Sequence, residues 1–318
     1  MILQILLLLA GFFLLIYGAS LLVDNASALA KSLQIPDIVI GLTIVAFGTS
    51  APELVVNIIA AVQQNTDLAL GNVAGSNLFN LMVILGATAV AHPLLVKSNT
   101  TWIEIPLCLL SALVLLVMAN DAFIESGPAS VIGRVDGIIL LLFFGVFMAY
   151  NIQLASRGDL SDEVIVKKTS KLKSSLLLLA GLILLVAGGR MIVTSAVEIA
   201  ENLGIAQRII ALTIISAGTS LPELATSVVA ALKKNTDIAI GNIVGSNIFN
   251  VFLVLGTTAI ISPVALPEGA NIDLLLNVLV SFMLFAFIFT GKGRRIDRAE
   301  GIIFIAMYIA YIVYIAVY

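Results

Sequence analysis

The sequence predicts an all-α polytopic membrane protein: ten transmembrane helices in two inverted repeats of five, with both termini outside. Three observations carry this. Of 318 residues, 60% are hydrophobic and only 11% charged, where soluble domains carry roughly a quarter charged. The apolar stretches have the length of bilayer spans, about 20 residues each. The second half of the chain repeats the first.

The spans follow in order. The opening run MILQILLLLAGFFLLIYG lacks a basic leading segment and a small-residue cleavage site, so it is expected to remain as a first helix. Apolar runs then place spans near 3–27, 36–63, 68–91, 104–119, 134–154, 175–200, 207–232, 238–261, 273–291 and 299–317. The longest polar stretch, SRGDLSDEVIVKKTSKLK at 156–173, reads as a linker between units 1–155 and 174–318. Cytoplasmic loops are enriched in Lys and Arg. Thirteen of the 16 such residues fall on the linker's side of the ladder, among them Lys31, Lys97, Lys233, Lys234 and Arg294. Arg134 and Arg208 fall on the other, and Arg190 lies within span six. The linker is therefore expected to be cytoplasmic.

Composition also excludes functions. Lys+Arg is 16 against Asp+Glu 19, which is not the basic balance of a nucleic-acid binder. A single cysteine, Cys108, and a single histidine, His92, leave no disulfide framework, no Cys/His zinc site and no Ser–His–Asp set. Both read as bland.

A shift of 170 positions lays residues 41–93 on 211–263 without a gap, with 27 of 53 pairs identical. The shared words are GTSAPEL (48–54) with GTSLPEL (218–224), NTD (65–67 and 235–237), GN (71–72 and 241–242), and GSNLFN (75–80) with GSNIFN (245–250). Gly11 matches Gly181, and Gly18 matches Gly188. Five spans separate the copies, so the second enters the membrane upside down. Transporters built this way bind their substrate near the midplane, between the repeats, on interrupted helices. Duplication for packing alone is the plainer alternative, and Gly71-x-x-x-Gly75 and Gly241-x-x-x-Gly245 suit close helix approach. Packing does not account for Glu53 and Glu223.

Those two carboxylates lie mid-span, where a charged side chain costs about 2.5–3.5 kcal/mol, and no Lys or Arg occurs in the apolar bodies of spans two, three, seven or eight. Protons or bound cations must supply the positive charge. Ser50, Ser220, Ser76, Ser246, Asn80 and Asn250 offer neutral oxygens of the kind a hard cation takes alongside carboxylates. Ser76 and Asn80, like Ser246 and Asn250, are four apart and share a helix face, expected to turn toward the glutamates. Interhelical hydrogen bonding is the competing use of such residues. Pro52 and Pro222 interrupt their helices and release the carbonyls of Gly48 and Gly218, so carbonyls near Thr49 and Thr219 can enter the cavity.

With GTS-x-PEL and GSN-x-FN duplicated in inverted halves, the chain resembles the cation/calcium antiporter superfamily, in particular its prokaryotic Na⁺/Ca²⁺ exchanger branch, over all ten spans. The resemblance implies a core of helices two, three, seven and eight, with helices one and six as a sliding gate. It implies Ca²⁺ ligation by Glu53 and Glu223 with the backbone oxygens of Thr49 and Thr219. It implies sodium sites at Ser50, Ser220, Ser76, Ser246, Ala46 and Ser216. Asn250 stands where potassium-dependent members carry Asp, which implies potassium independence. The Gly-Asn-Ala-Thr-Glu wording of proton-coupled members is missing, which favours Na⁺ as driving ion over the alternative of H⁺ coupling.

The expected function is thus secondary active antiport of Na⁺ for Ca²⁺ by alternating access in the plasma (inner) membrane. Ca²⁺ and Na⁺ are expected as substrates and the bilayer as surroundings, with no cofactor and no nucleic acid, by a chain that works as a monomer. It is not expected to be an enzyme: an intramembrane protease would need paired aspartates, a Ser–His dyad or HExxH. A cation channel is the remaining rival. Trp102, Tyr308, Tyr311, Tyr314 and Tyr318 read as interface anchors, Arg190 as a snorkelling side chain, and Asp24 as solvated.

Overall fold

The computed structural model describes residues 2–64, 66–121, 130–157, 170–203, 216–267, 269–290 and 293–317. Most of the linker, the start of the seventh expected span and Arg208 lie outside them. Helices dominate. In chain order they are α1 (Ile2–Leu33), α2 (Asp37–Thr49), α3 (Ala51–Val62), α4 (Leu68–Ala91), α5 (Thr100–Met118), α6 (Arg134–Ser156), α7 (Lys171–Asn202), α8 (Ser216–Gly218), α9 (Leu221–Leu232), α10 (Thr236–Ile261), α11 (Ala270–Phe287) and α12 (Arg298–Ile315).

Among the described residues, eight of these are long and apolar enough to cross a bilayer, and α2 with α3 makes a ninth span bent by 46°. α9 is apolar but short. α1, α5, α11 and α12 are apolar on nearly all sides, as suits helices that face lipid. α1 and α7 have 32 residues apiece; at 1.5 Å per residue each is about 48 Å long, so they tilt or protrude beyond a core of roughly 30 Å. The most buried are α4 and α10, 78% and 94% buried over their apolar windows. They form the centre of the bundle.

Contacts between the halves are reciprocal. On α1 and α7, a Cβ added at Gly11 would lie 3.0 Å from the Gly188 carbonyl oxygen, and one at Gly18 would lie 2.9 Å from that of Gly181. The numbers run oppositely along the two helices, so α1 and α7 pack antiparallel. The same exchange joins Gly86 to Gly301 and Gly256 to Gly137, position 256 being 86 plus 170. Short strands repeat the pattern: β1 (Leu94–Leu95) pairs antiparallel with β4 (Arg295–Ile296), and β2 (Val131–Ile132) with β3 (Val264–Ala265). A loop from each half is therefore clamped to a loop from the other at either end of the bundle. Near β1, Lys97 pairs with Asp237 at 2.8 Å, so the loops before α5, α10 and α12 share one end, as the charge ladder requires.

The packing adds detail to three expectations. Asp24 is exposed, as expected, and its Oδ1 also lies 2.6 Å from the Lys233 ammonium. Tyr311 donates a 2.8 Å hydrogen bond to Asp273 on α11, and Tyr308 packs edge-on to Phe79, centroids 5.6 Å apart. Gly241 and Gly245 do press on α2, where an added Cβ at Gly245 would meet that of Ala46 at 2.8 Å, whereas Gly71 and Gly75 meet nothing within 4 Å among the described residues. The counterparts of that stretch of α2 by the repeat, 211–216, against which Gly71 and Gly75 are expected to pack, fall almost wholly outside those residues.

Candidate ion-binding site

The helical break at the centre of each half is built from Ser-x-Pro-Glu. Ser50 leaves helical geometry at φ −85°, ψ 4°, and Ser220 at φ −90°, ψ 7°. Each is the residue before a new helix, with the proline in the first turn, where its missing N–H costs nothing and its fixed φ suits the helix. Pro52 and Pro222 thus start α3 and α9 instead of kinking a continuous helix. Ser-x-x-Glu at such a start usually forms a closed capping box, in which serine and glutamate satisfy each other's backbone.

Here the box is exchanged between halves. Neither serine caps its own helix. The Ser50 hydroxyl donates to Glu223 Oε1 at 3.1 Å, and the Ser220 hydroxyl donates to Glu53 Oε1 at 3.3 Å. Both glutamates are 1% exposed, each held by a hydroxyl from the other half. Thr49, fully buried, donates to Asn242 Oδ1 at 3.0 Å, and Asn242 in turn donates to the Glu223 carbonyl oxygen and to Ser227.

A second polar layer lies where α4 and α10 cross. Asn80 Nδ2 donates to Asn247 Oδ1 at 3.3 Å, Asn250 Nδ2 to Asn77 Oδ1 at 3.0 Å, and Asn77 Nδ2 to the Asn247 carbonyl at 3.3 Å. Asn80 and Asn250 each open a π-helical turn, Asn80–Ile84 and Asn250–Leu255. Such turns are rare and concentrate at functional sites. α3 packs on the turn that Asn250 begins and α9 on the turn that Asn80 begins, so each glutamate-bearing helix meets the asparagine-bearing turn of the other half.

Oxygens left over by these bonds share one chemistry. Glu53 Oε2, Glu223 Oε2, Asn80 Oδ1, Asn250 Oδ1, Thr219 Oγ1 and Ser246 Oγ are buried and take no hydrogen bond from the described protein. All can accept, and the first four only accept. A buried acceptor without a donor costs about 1–3 kcal/mol, a cost that a hard cation taking 6–8 oxygens removes. Among the described residues no group of three or more His, Cys, Asp or Glu forms, so neutral oxygens have to complete any cation site built on the two glutamates. Of the other expected members, Ser76 is buried on α4, Ala46 is buried one turn before the first break, and Ser216 begins α8. Asn77, Asn242 and Asn247 were missed. Their signal was present, since GN and GSN recur in both copies, but the four-residue spacing drew attention to one stripe only.

A cavity of about 200 Å³ lies against the two helix breaks on the side opposite the Lys233 end. It is lined by Pro52, Val55 and Val56 on α3, Gly189, Arg190, Val193 and Thr194 on α7, and Thr219 and Pro222 at the second break. Arg190, exposed on α7, is among the residues that line this cavity.

Inverted halves that meet at two clasped carboxylates on broken helices define a class, the secondary transporters built on inverted repeats. Residues 3–153 and 173–317 match the family model described as sodium/calcium exchanger protein, and the chain belongs to that family. It is a multi-pass membrane protein of the prokaryotic exchanger branch. It is 37% identical to the putative antiporter CaxA of Alkalimonas amylolytica over 95% of each chain. It is 34% identical to the inner membrane protein YrbG of Escherichia coli, covering 98% of this chain and 96% of that protein. The solved sodium-calcium exchanger NCX_Mj, soaked with 10 mM Na⁺ and no Ca²⁺, superposes with a TM-score of 0.83 at 30% identity over 98% of each chain.

Proposed function

We propose that the chain exchanges Na⁺ for Ca²⁺ by alternating access, independently of K⁺. In this reading it has ten spans, as two five-helix units joined by the 156–173 linker, with both termini outside. The observation that carries it is the exchanged clasp, Ser50 on Glu223 and Ser220 on Glu53. It draws one acid from each half to a common place and leaves one oxygen of each acid open to a cation.

Ca²⁺ is held by Glu53 and Glu223 with the carbonyl oxygens of Thr49 and Thr219. Na⁺ ions take overlapping oxygens of Ser50, Ser220, Ser76, Ser246, Ala46 and Ser216, with Asn80 and Asn250 between the acids. Two negative charges match one Ca²⁺ without remainder, and binding either cation excludes the other. With neither bound, the carboxylates would cross the apolar barrier uncompensated, which makes exchange obligatory. NCX_Mj, a sodium-calcium exchanger, supports Na⁺ as the driving ion. Asn250, neutral where an acid would recruit a further cation, supports K⁺ independence.

Purified protein in liposomes tests the proposal when Na⁺, K⁺ and pH gradients are imposed separately. An outward Na⁺ gradient is expected to drive ⁴⁵Ca²⁺ uptake unchanged by K⁺. Uptake driven equally by a pH gradient without Na⁺ would assign proton coupling instead.

A further inference from the structure

The two access routes to the site are not equivalent, and repeat symmetry identifies what holds them apart. On the Lys233 side the route is shut. α1 lies along α9, Thr49 and Thr226 are fully buried, and the Lys233 ammonium donates to the Ser20 hydroxyl at 2.7 Å and the Ser20 carbonyl at 3.1 Å while pairing with Asp24 at 2.6 Å. On the other side the cavity separates α7 from α3. Adding 170 carries Ser20 to Arg190 and Asp24 to Thr194, and Lys233 has Gln63 as its counterpart. Arg190 and Thr194 both line that cavity, and Gln63 ends α3 beyond it. Val56, the counterpart of buried Thr226, lines it too.

We infer that Lys233 and Arg190 are positioning residues of the transport cycle: Lys233, bound to Ser20 and Asp24, latches the route on its own side shut in this conformation, and Arg190 with Gln63 latches the opposite route in the other. The chemistry is inverted between the latches. One places a cation on the core helix and its acceptors on α1; the other places the cation on α7 and its acceptor amide on α3. The first is an ion pair and the second is charged to neutral, so the two end states are unequally held, and salt weakens the first more than the second. α1 and α7 meet glycine to glycine, so opening one latch and closing the other is one displacement of a joined pair. The inference rests on the alternating-access reading above, but its test does not require transport.

A cysteine at Thr226, in a Cys108→Ala background, reports the state in which the Lys233 side is open. A membrane-impermeant thiol reagent is applied to each face of oriented vesicles holding the same Ca²⁺ concentration on both sides, so that the occupied protein can pass between its two states. Lys233→Gln is expected to raise the labelling rate two- to fivefold from the Lys233 face, the range an exposed ion pair supports. Arg190→Gln is expected to lower it by a similar factor, and the charge-swapped pair Asp24→Lys with Lys233→Asp to restore it. No change in Lys233→Gln, or the same direction of change in Lys233→Gln and Arg190→Gln, overturns the latch. A failed exchange reading shows separately, as wild-type vesicles without Na⁺-dependent ⁴⁵Ca²⁺ uptake, while the labelling pattern stands or falls alone.

Discussion

The centre of the molecule rests on hydroxyl groups that give up a local role for a distant one. A serine before a helix ordinarily caps it, worth about 1 kcal/mol; Ser50 and Ser220 instead hold the opposite half's carboxylate. Hydrogen bonds to charged groups contribute about 1.5–3 kcal/mol. Ser50→Ala and Ser220→Ala are therefore each expected to raise the Ca²⁺ concentration for half-maximal uptake about tenfold or more, with fold and expression retained. Glu53→Gln and Glu223→Gln, which remove charge that nothing nearby replaces, are expected to abolish Na⁺-driven ⁴⁵Ca²⁺ uptake, and uptake retained by Glu53→Gln would sink the ligand assignment. Asn250→Asp adds a third acid and is expected to make uptake rise with K⁺. Much at this scale was legible, because an unpaired acid inside an apolar span has few explanations. Asn77 and Asn247 were not, because each lies one residue past Ser76 or Ser246, off the stripe that four-residue spacing defines, and only the crossing of α4 and α10 turns it toward the other half.

Helices divide into those that must fit closely and those that face lipid. The prolines marked where α2 gives way to α3, because no helix carries proline mid-run without loss. That Pro52 would begin a helix instead of bending one depends on Ser50 leaving helical geometry, and the local sequence does not fix that conformation. Interfaces between helices were legible only as candidate glycine pairs, since composition cannot say which pair meets a backbone. A Cβ at Gly86 would come 2.7 Å from the Gly301 carbonyl oxygen, and one at Gly301 as close to that of Gly86. The neighbour here is backbone, so α4 and α12 would have to separate. Overpacking of this kind costs about 1–3 kcal/mol. Gly86→Val is accordingly expected to lower the thermal midpoint of the protein in detergent by several degrees, while Val313→Ala, at a side chain 57% exposed on the lipid-facing part of α12, is expected to leave it nearly unchanged.

At the scale of the whole molecule, duplication was legible because 27 of 53 positions survive in register, and inversion followed from an odd number of intervening spans. Which route is open was not, since both halves carry the same words and only the packing of α1 and α7 distinguishes them. That packing has a consequence for flux. A pore would need both routes open together, yet here the glycine contacts join α1 to α7, and α1 closes one side while α7 leaves the other open. On the proposed alternating-access reading, a joined pair that closes either side but does not withdraw from both carries ions only by turnover. Crossing is further restricted to occupied sites, because two bare carboxylates in hydrocarbon cost several kcal/mol. Liposomes holding neither Na⁺ nor Ca²⁺ are therefore expected to take up no ⁴⁵Ca²⁺ above background, even with a membrane potential favouring entry. Loading with Na⁺ or with unlabelled Ca²⁺ should start uptake in either case, and external Na⁺ should compete with it. Uptake into empty liposomes at a rate set by potential alone would mean that the cavity is the mouth of a channel.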